Sequence, residues 1–448
     1  MPRSHEGIPV TRGIWPCGSE MNYSQSLSYL DSFLNLERLS HLPRNSFFNL
    51  RRMEHLLRIA GRPEKKFFPI LITGTTGKGS TGFFLESILK ENGIAVGYYH
   101  SPHVEDVRER IRLDGRMAPE ALWACGLSRV RTMLAKHPVP ATLGCLTYFE
   151  VMTFLAILLF SETGRRIGIF EIGLGGRLDA TNVLRAPLVI LTPIHLDHTH
   201  FLGDTVAKIA REKAGIIKKH CCVISVRQTP EAARAIRKAA EKNHARVIEA
   251  NPYRKGKAGL AGDFQNVNAG AAVQAARVLR LVFGFRIDPA TYGRALINRD
   301  WKGRMETVPN RGRVFILDGA HNPLSVRALA RSFDTLCGRG RQKRRLAVFG
   351  AMQDKDSKKM LEHLSRSFDS VVLTRVGNPR ARSVGALLDE AKGLFKCVVP
   401  AQNTEEALAL ARELTGDGEK ILVTGSFYLA GEARKILKNG IRDQVLII

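Results

Sequence analysis

The sequence lacks the features that mark membrane-spanning and disulfide-stabilised proteins. Its longest unbroken apolar stretch, residues 154–160, is far shorter than the ~20 residues needed to cross a bilayer. No hydrophobic signal-peptide core is present at its start. The seven cysteines include no CxxC pair, and their odd number argues against a disulfide framework. We therefore expect reduced thiols, no membrane association and a cytoplasmic location.

Acidic residues are scarce relative to basic ones. The 68 lysines and arginines exceed the 42 acidic residues, which gives a formal net charge of +26. Such charge is typical of nucleic-acid binding, but no RNP, zinc-finger or homeodomain pattern accompanies it. The basic cluster at 339–345 lies between predicted elements, where water solvates charge readily. We therefore expect a solvated basic surface and no nucleic-acid partner, and attraction of a small polyanionic substrate remains a third interpretation.

The length and the apolar patterning predict two domains. A chain of 448 residues is too long for one hydrophobic core. Residues 1–20 are rich in proline and glycine without apolar periodicity, so we expect either a disordered extension or a natural start at Met21. Beyond them, strand-like runs alternate with helical patterns, which indicates parallel sheets covered by helices. The pattern restarts near Trp301, so we place the domains at 21–298 and 299–448.

A glycine-rich segment at 74–80 (GTTGKGS) lies between a predicted strand at 67–73 and a predicted helix at 80–92. Backbone N–H groups at such a turn bind phosphate oxygens, and the helix dipole assists them. Lys78 can reach the terminal phosphates, and the Ser80 hydroxyl can bind Mg²⁺. The spacing departs from the common GxxxxGK[ST] pattern, because Ile72 replaces its first glycine and Gly79 separates Lys78 from Ser80. For the segment itself, a glycine-rich turn that binds no ligand is the alternative interpretation. The fold class is predicted as α/β, with an N-terminal P-loop-type ATPase domain that contains a parallel sheet and a smaller Rossmann-like C-terminal domain.

Further segments match one known family in order. They are 100–103 (HSPH), 109–111 (ERI), 147–150 (TYFE), 171–182 (EIGLGGRLDATN), 196–198 (LDH), 212–218 (EKAGIIK), 303–306 (GRME), 317–323 (LDGAHNP), 354–356 (DKD) and 424–428 (TGSFY). With the loop, they resemble the folylpolyglutamate synthase and dihydrofolate synthase family of the Mur ligase superfamily, from about residue 21 to residue 431. In one departure, Lys302 stands where the family usually has proline, which leaves the stiffness of the hinge open.

The resemblance implies an ATP-dependent amide ligase. The γ-phosphate of ATP would pass to a substrate carboxylate, and L-glutamate would attack the resulting acyl phosphate, releasing phosphate and leaving ADP. The acceptor would be a folate, and whether dihydropteroate also serves stays open. A related Mur-type ligase for a cell-wall or storage-polymer precursor is one alternative, and a basic nucleic-acid-binding NTPase is another. We expect a monomer.

The same resemblance implies the site residues. Two Mg²⁺ ions would bind Ser80, Ser101, Glu150, His198 and Lys213, the last carbamylated by CO₂ so that it becomes an anion. ATP would contact Thr75, Gly77, Lys78, Gly79, Ser80, Asn268, Arg304, Asp318 and His321, with Asn268 near the adenine, Arg304 at phosphate and Asp318 on the ribose. The catalytic set would be Lys78, Glu150, His198 and Lys213. The substrate pocket would include Arg177, Asp179 and Asn182.

Glu150 has a physical argument of its own. It is the single acid on an otherwise apolar helix predicted at 148–160, and an unpaired buried carboxylate is costly. That cost favours a bound metal. An exposed glutamate at the helix start is the alternative interpretation.

Overall fold

The computed structural model describes residues 20–37, 48–256, 258–298, 301–338 and 345–445. The predicted extension, apart from residue 20, lies outside the described residues. The same is true of positions 339–344 of the basic cluster and of residues 299–300 at the predicted domain boundary.

The first sheet has eight strands, six of them parallel. The strands are β1 Phe68–Thr73, β2 Val96–Tyr99, β3 Ile111–Leu113, β4 Arg116–Met117, β5 Ile167–Glu171, β6 Leu188–Leu191, β7 Cys222–Val226 and β8 Arg246–Ala250. Their order is β4-β3-β2-β5-β1-β6-β7-β8, and β3 and β4 are the antiparallel strands. In register, Leu71 of β1 lies between Phe170 of β5 and Val189 of β6. The carboxyl ends of these three central strands therefore meet at one edge of the sheet.

Helices cover both faces of this sheet. They are α1 Tyr23–Asp31, α2 Leu50–Ile59, α3 Lys78–Glu91, α4 Glu120–Lys136, α5 Tyr148–Glu162, α6 Thr199–Leu202, α7 Val206–Ala214, α8 Pro230–Lys242, α9 Phe264–Leu281 and α10 Tyr292–Leu296. One face of the sheet packs on α5, which is buried along nearly its whole length, and the other on α3 and α9. Helix α3 begins at Lys78, two residues earlier than the patterning predicts, so the helix axis points directly at the glycine-rich loop.

The second sheet has six strands. They are β9 Glu306–Asn310, β10 Arg313–Leu317, β11 Leu346–Phe349, β12 Ser370–Thr374, β13 Cys397–Ala401 and β14 Lys420–Thr424, in the order β13-β12-β11-β14-β10-β9. The sheet is parallel except for β9, which pairs antiparallel with β10. Its helices are α11 Pro323–Cys337, α12 Ser357–Leu364, α13 Val384–Ala391, α14 Thr404–Glu413 and α15 Phe427–Val445. The predicted α/β class with two parallel-dominated sheets is confirmed.

The chain passes between the sheets at Trp301. The indole stacks on Phe83 at a ring-centroid distance of 4.7 Å and lies 4.7 Å from the His100 ring, so its packing belongs to the first sheet. Strand β9 of the second sheet begins only five residues later. No helix within the described ranges is long and apolar enough to cross a bilayer.

Candidate active site

A cleft of about 530 Å³ lies between the two sheets. Its floor is formed where β1, β5 and β6 end. Its opposite wall is formed by Arg304, which precedes β9, and by residues that follow β10 and β14. The carboxyl edge of a parallel sheet is where such folds bind ligands. The residues of the predicted set that line the cleft are Thr75, Gly77, Lys78, Gly79, Ser80, Ser101, Glu150, Asp179, His198, Lys213, Asn268, Arg304, Asp318 and His321.

The glycine-rich loop is held close to its neighbours. Gly77 has a φ of +84°, and a Cβ there would lie 2.2 Å from Oδ1 of Asn268. The Thr75 N–H donates to the Pro193 carbonyl (2.8 Å), and its hydroxyl donates to the His195 carbonyl (3.1 Å). Thr75 therefore anchors the loop to the segment after β6. The N-terminus of α3 points into the cleft, as a phosphate-binding turn requires.

Lys78 and Glu171 form the charged centre of the cleft floor. The Lys78 Nζ donates to the Gly74 carbonyl (3.2 Å) and lies 3.9 Å from Oε1 of Glu171. The other carboxylate oxygen, Oε2, is buried and has no hydrogen-bond partner among the described residues. Burial raises the pKa of Glu171, and the nearby Lys78 and Arg304 oppose that rise. An oxygen left without a partner in a closed site is available for a cation.

Sequence reasoning did not include Glu171 among the site residues. It is the last residue of β5, whose other four positions carry no charge. A charged residue that ends a buried strand, directly before a glycine-rich turn, was the signal that could have identified it.

The expectation of an unpaired carboxylate at Glu150 is wrong. Nε of Arg52, on α2, donates to both Glu150 carboxylate oxygens, at 2.9 and 3.1 Å. One of those oxygens also accepts the backbone N–H (2.8 Å) and the hydroxyl (3.0 Å) of Thr147, which completes a capping box at the start of α5. Glu150 lines the cleft with its carboxylate already paired to protein groups, and its role as a metal ligand stays a prediction.

Lys213 and His198 also line the cleft. The Lys213 Nζ donates to the same Gly74 carbonyl at 2.8 Å, and burial together with Lys78 lowers its pKa to about 7. Burial and the neighbouring Lys355 lower the pKa of His198 to about 3, so its ring is neutral. Its Nδ1 has no partner in the described part of the chain, whereas its Nε2 lies 3.3 Å from Nζ of Lys355.

An ion pair next to His198 joins the two domains. The Nζ of Lys355, in the loop before α12, is 3.1 Å from Oδ1 of Asp197, and both side chains are largely buried. The Asn322 amide, at the start of α11, donates to the other Asp197 oxygen at 3.3 Å. The Lys355 ammonium, which also donates a hydrogen bond to Oδ1, holds the pKa of Asp197 well below its usual range. The cleft therefore closes on a charged contact beside the predicted metal residues.

The second domain supplies the opposite wall. The Arg304 guanidinium stacks on Phe427 at 4.5 Å, and its Nη2 lies 3.3 Å from where a Cβ at Gly79 would be. The two oxygens of Asp318 accept the N–H groups of Met305 (2.9 Å) and Ala320 (2.8 Å), so this carboxylate shapes the turn that carries Arg304. The His321 Nδ1 lies 2.8 Å from the Gly319 carbonyl, and burial lowers the pKa of that imidazole to about 4.

Of the predicted substrate-pocket residues, only Asp179 lines the cleft. Its oxygens accept hydrogen bonds from the backbone of Gly173, Leu174 and Thr181, so it shapes the loop after β5. Asn182 donates to the carbonyls of Arg177 and Gly215, and it ties that loop to α7. Arg177 points outward and pairs with Glu212 at 3.1 Å. Neither Arg177 nor Asn182 lines the cleft, and both instead support the glycine-rich turn, so their place in a substrate pocket stays a prediction.

The donor set fits a hard divalent cation only in combination with a bound ligand. No cluster of three or more His, Cys, Asp or Glu side chains with metal-site geometry occurs within the described ranges. The unpartnered oxygen of Glu171 and the Ser80 hydroxyl nevertheless line the same cleft beside the phosphate-binding loop. Mg²⁺ commonly takes one or two protein ligands and completes its shell with phosphate oxygens and water.

A phosphate-binding loop that faces a second α/β domain, with a lysine, an arginine and a free carboxylate oxygen between them, defines an ATP-dependent ligase of the Mur type. A family profile described as "Mur ligase, glutamate ligase domain" matches residues 303–427.

Similar proteins and structures identify the family within this class of ligases. The chain is 33% identical over 403 residues to the dihydrofolate synthase/folylpolyglutamate synthase of Bacillus subtilis, covering 84% of this chain and 92% of that one. It is 28% identical over 445 residues to the folylpolyglutamate synthase of Lacticaseibacillus casei, covering 94% and 100%. Its structure resembles Escherichia coli FolC in complex with DHPP and ADP, with a TM-score of 0.80 and 27% identity over 94% of this chain and 99% of that one. The chain belongs to the dihydrofolate synthase/folylpolyglutamate synthase family.

Proposed function

We propose that this protein uses ATP to join L-glutamate to a carboxylate of a folate, through an acyl phosphate. The observation that carries the proposal is the convergence of Lys78, Arg304 and the unpartnered Glu171 oxygen on one interdomain cleft. Relatives support the choice of substrates, since one similar structure contains ADP and DHPP and the curated relatives are folate enzymes by name.

The chain's own residues bind and orient ATP. Backbone N–H groups at the start of α3 receive the phosphates, with Lys78 at the terminal ones and Arg304 opposite. Asn268 lies beside Gly77 at the base of the loop, where the adenosine end would follow. Mg²⁺ held by Ser80 and Glu171 would neutralise charge on the β- and γ-phosphates. Catalysis then rests on positioning and electrostatic preorganisation, which are the main contributions in phosphoryl transfer.

The acceptor would lie on the apolar side of the cleft. Its lining there includes Leu36, Phe48, Phe149 and Leu178. Apolar and aromatic side chains with a few polar groups suit a flat heteroaromatic ring whose carboxylate tail points at the phosphates. The acyl phosphate forms when that carboxylate takes the γ-phosphoryl group. The amine of glutamate then displaces phosphate, and the closed cleft keeps water from the intermediate.

Lys213 is proposed to react with CO₂. Because its pKa is lowered to about 7, a large fraction of the amine is neutral near pH 7, and the neutral amine is the form that attacks CO₂. The nitrogen bonds to the carbon of CO₂ and releases one proton, which leaves a carbamate anion. That anion and the neutral His198, which both line the cleft, would hold the second Mg²⁺.

The test offers dihydropteroate and tetrahydrofolate separately, each with ATP, Mg²⁺ and L-glutamate. Phosphate release and a glutamylated product are measured together. We expect product with tetrahydrofolate, and the dihydropteroate reaction decides whether the chain also has the synthase activity. If neither acceptor supports phosphate release, or if release does not require glutamate, the proposal is overturned.

A further inference from the structure

A network of charged side chains joins the two domains on the far side of Arg304 from the cleft. The Lys302 Nζ is 2.8 Å from Oε1 of Glu109 and 3.0 Å from Oε2 of Glu105. Arg434, on α15, bonds to the same Glu105 oxygen and donates through Nε to Glu306 at 2.8 Å. Two acids of the first domain therefore share cations from the linker and from the last helix of the second.

The network is shielded from water. The side chains of Glu109, Arg434 and Glu105 are 8%, 11% and 15% exposed, and that of Lys302 is 27% exposed. Isolated surface ion pairs contribute little to stability because water and salt screen them. A network of several charges in partial burial is screened less, and its members depend on one another.

Both ends of this network carry parts of the proposed ATP site. On the first domain, Glu109 also accepts the Val104 N–H at 2.7 Å, so its carboxylate shapes the loop that begins at Ser101. On the second domain, the Gly303 N–H donates to Glu306 at 3.1 Å, and Gly303 directly precedes Arg304. Lys302 thus lies between a loop at the cleft edge and the turn that presents the Arg304 guanidinium to Gly79.

We propose that Lys302 is a positioning residue, which holds Arg304 over the phosphate-binding loop by tying the linker to Glu105 and Glu109. Trp301, packed against the first domain, places Lys302 where the chain crosses to the second. A proline at this position has no charged group and could not make either contact. The inference rests on the proposed function of the cleft, and it identifies a group that acts through Arg304 without touching the substrate.

The test compares steady-state kinetics of Lys302→Met with wild type. Loss of the tether lets Arg304 move away from the loop, so the KM for ATP should rise about tenfold, a common size for coupling between two parts of a protein. The KM for glutamate should change by less than about threefold, because Arg304 lies at the ATP phosphates. Lys302→Arg keeps the charge and should restore most of the ATP affinity. Lys438→Met is the matched control, since Lys438 lies 3.6 Å from Glu306 at the exposed end of the network.

A double-variant cycle tests the route. Glu105→Gln should raise the KM for ATP as well. Adding it to Lys302→Met should cause a smaller further rise than Glu105→Gln causes alone, because the two residues share one contact. An unchanged KM for ATP in Lys302→Met overturns the inference. So does a fall in kcat alone, which would mean that less protein is folded. If Lys302→Met fails to fold, Glu105→Gln decides by the same criteria. Wild-type protein that does not bind ATP would instead overturn the proposed function.

Discussion

Two buried glutamates line the same cleft and differ in how their charge is balanced. At the start of α5, every strong interaction of Glu150 is internal, with Arg52 and Thr147. At the end of β5, Glu171 faces Lys78 at 3.9 Å and leaves one oxygen without a partner among the described residues. The first carboxylate stabilises the fold, and the second is available to a ligand. Burial alone therefore does not mark a functional acid; the unbalanced oxygen does.

Removing the charge of Glu171 should have the largest effect. We expect Glu171→Gln to lower kcat by about 1000-fold, the upper end of the cost of removing one preorganised electrostatic group. The amide keeps the shape of the side chain but binds a cation far more weakly. Phosphate release under saturating substrates measures the change, and thermal unfolding checks the fold. Near-normal turnover would mean that Glu171 and Glu150 do not differ as described.

The same substitution at Glu150 should act on stability instead. Glu150→Gln removes the carboxylate that pairs with the buried Arg52, and breaking a buried pair costs about 3 kcal/mol or more. The free energy of unfolding, from urea titration, should fall by about that amount. The kcat of the folded fraction should fall by less than about tenfold. Loss of a catalytic acid–base group would lower kcat by more than that. A kcat loss equal to that of Glu171→Gln would restore Glu150 as a metal ligand.

The lowered pKa of Lys213 predicts how activity depends on pH and on CO₂. Its folded pKa, about 7, lies below the ordinary 10.5, so the amine is an ammonium below pH 7 and neutral above it. Activity should therefore rise with pH through 7, and more steeply when bicarbonate is added. Lys213→Met should lower kcat by about 100-fold and abolish the response to bicarbonate. An intact mass without one added CO₂ in active, CO₂-equilibrated protein would contradict the carbamate.

The smallest effect is expected at Arg177. Its side chain is 57% exposed and pairs with Glu212 outside the cleft, and such pairs contribute at most about 1 kcal/mol. Arg177→Ala should leave the KM for the folate acceptor and kcat within about twofold of wild type. A tenfold rise in that KM would return Arg177 to the substrate pocket and shift the acceptor toward α7.

Local patterns predict most of the fold. The strand predicted at 67–73 is β1, Phe68–Thr73, because a strand buried on both faces appears as a short apolar run. The glycine-rich loop was predicted by the same local logic. The first turn of α3 was missed, since Lys78 and Gly79 are not apolar and extend no periodic pattern.

Partners distant in sequence could not be predicted. Arg52 and Glu150 are 98 positions apart, and no local pattern indicates that they meet. The sequence therefore predicts that the isolated Glu150 binds a metal, whereas in the structure it pairs with Arg52 on α2. The Lys302 contacts with Glu105 and Glu109 span nearly 200 positions and depend on how the domains close. Sequence reasoning locates candidate charges, and only the fold shows which of them remain unbalanced.

The most direct test locates the metal. Crystals of the protein grown with ADP and Mn²⁺ should give an anomalous peak beside the phosphate-binding loop, within bonding distance of Glu171 and the Ser80 hydroxyl. Glu150 should stay paired with Arg52 in the same crystals. A peak bound to Glu150, with Glu171 left unligated, would contradict the account of how this cleft binds and activates ATP.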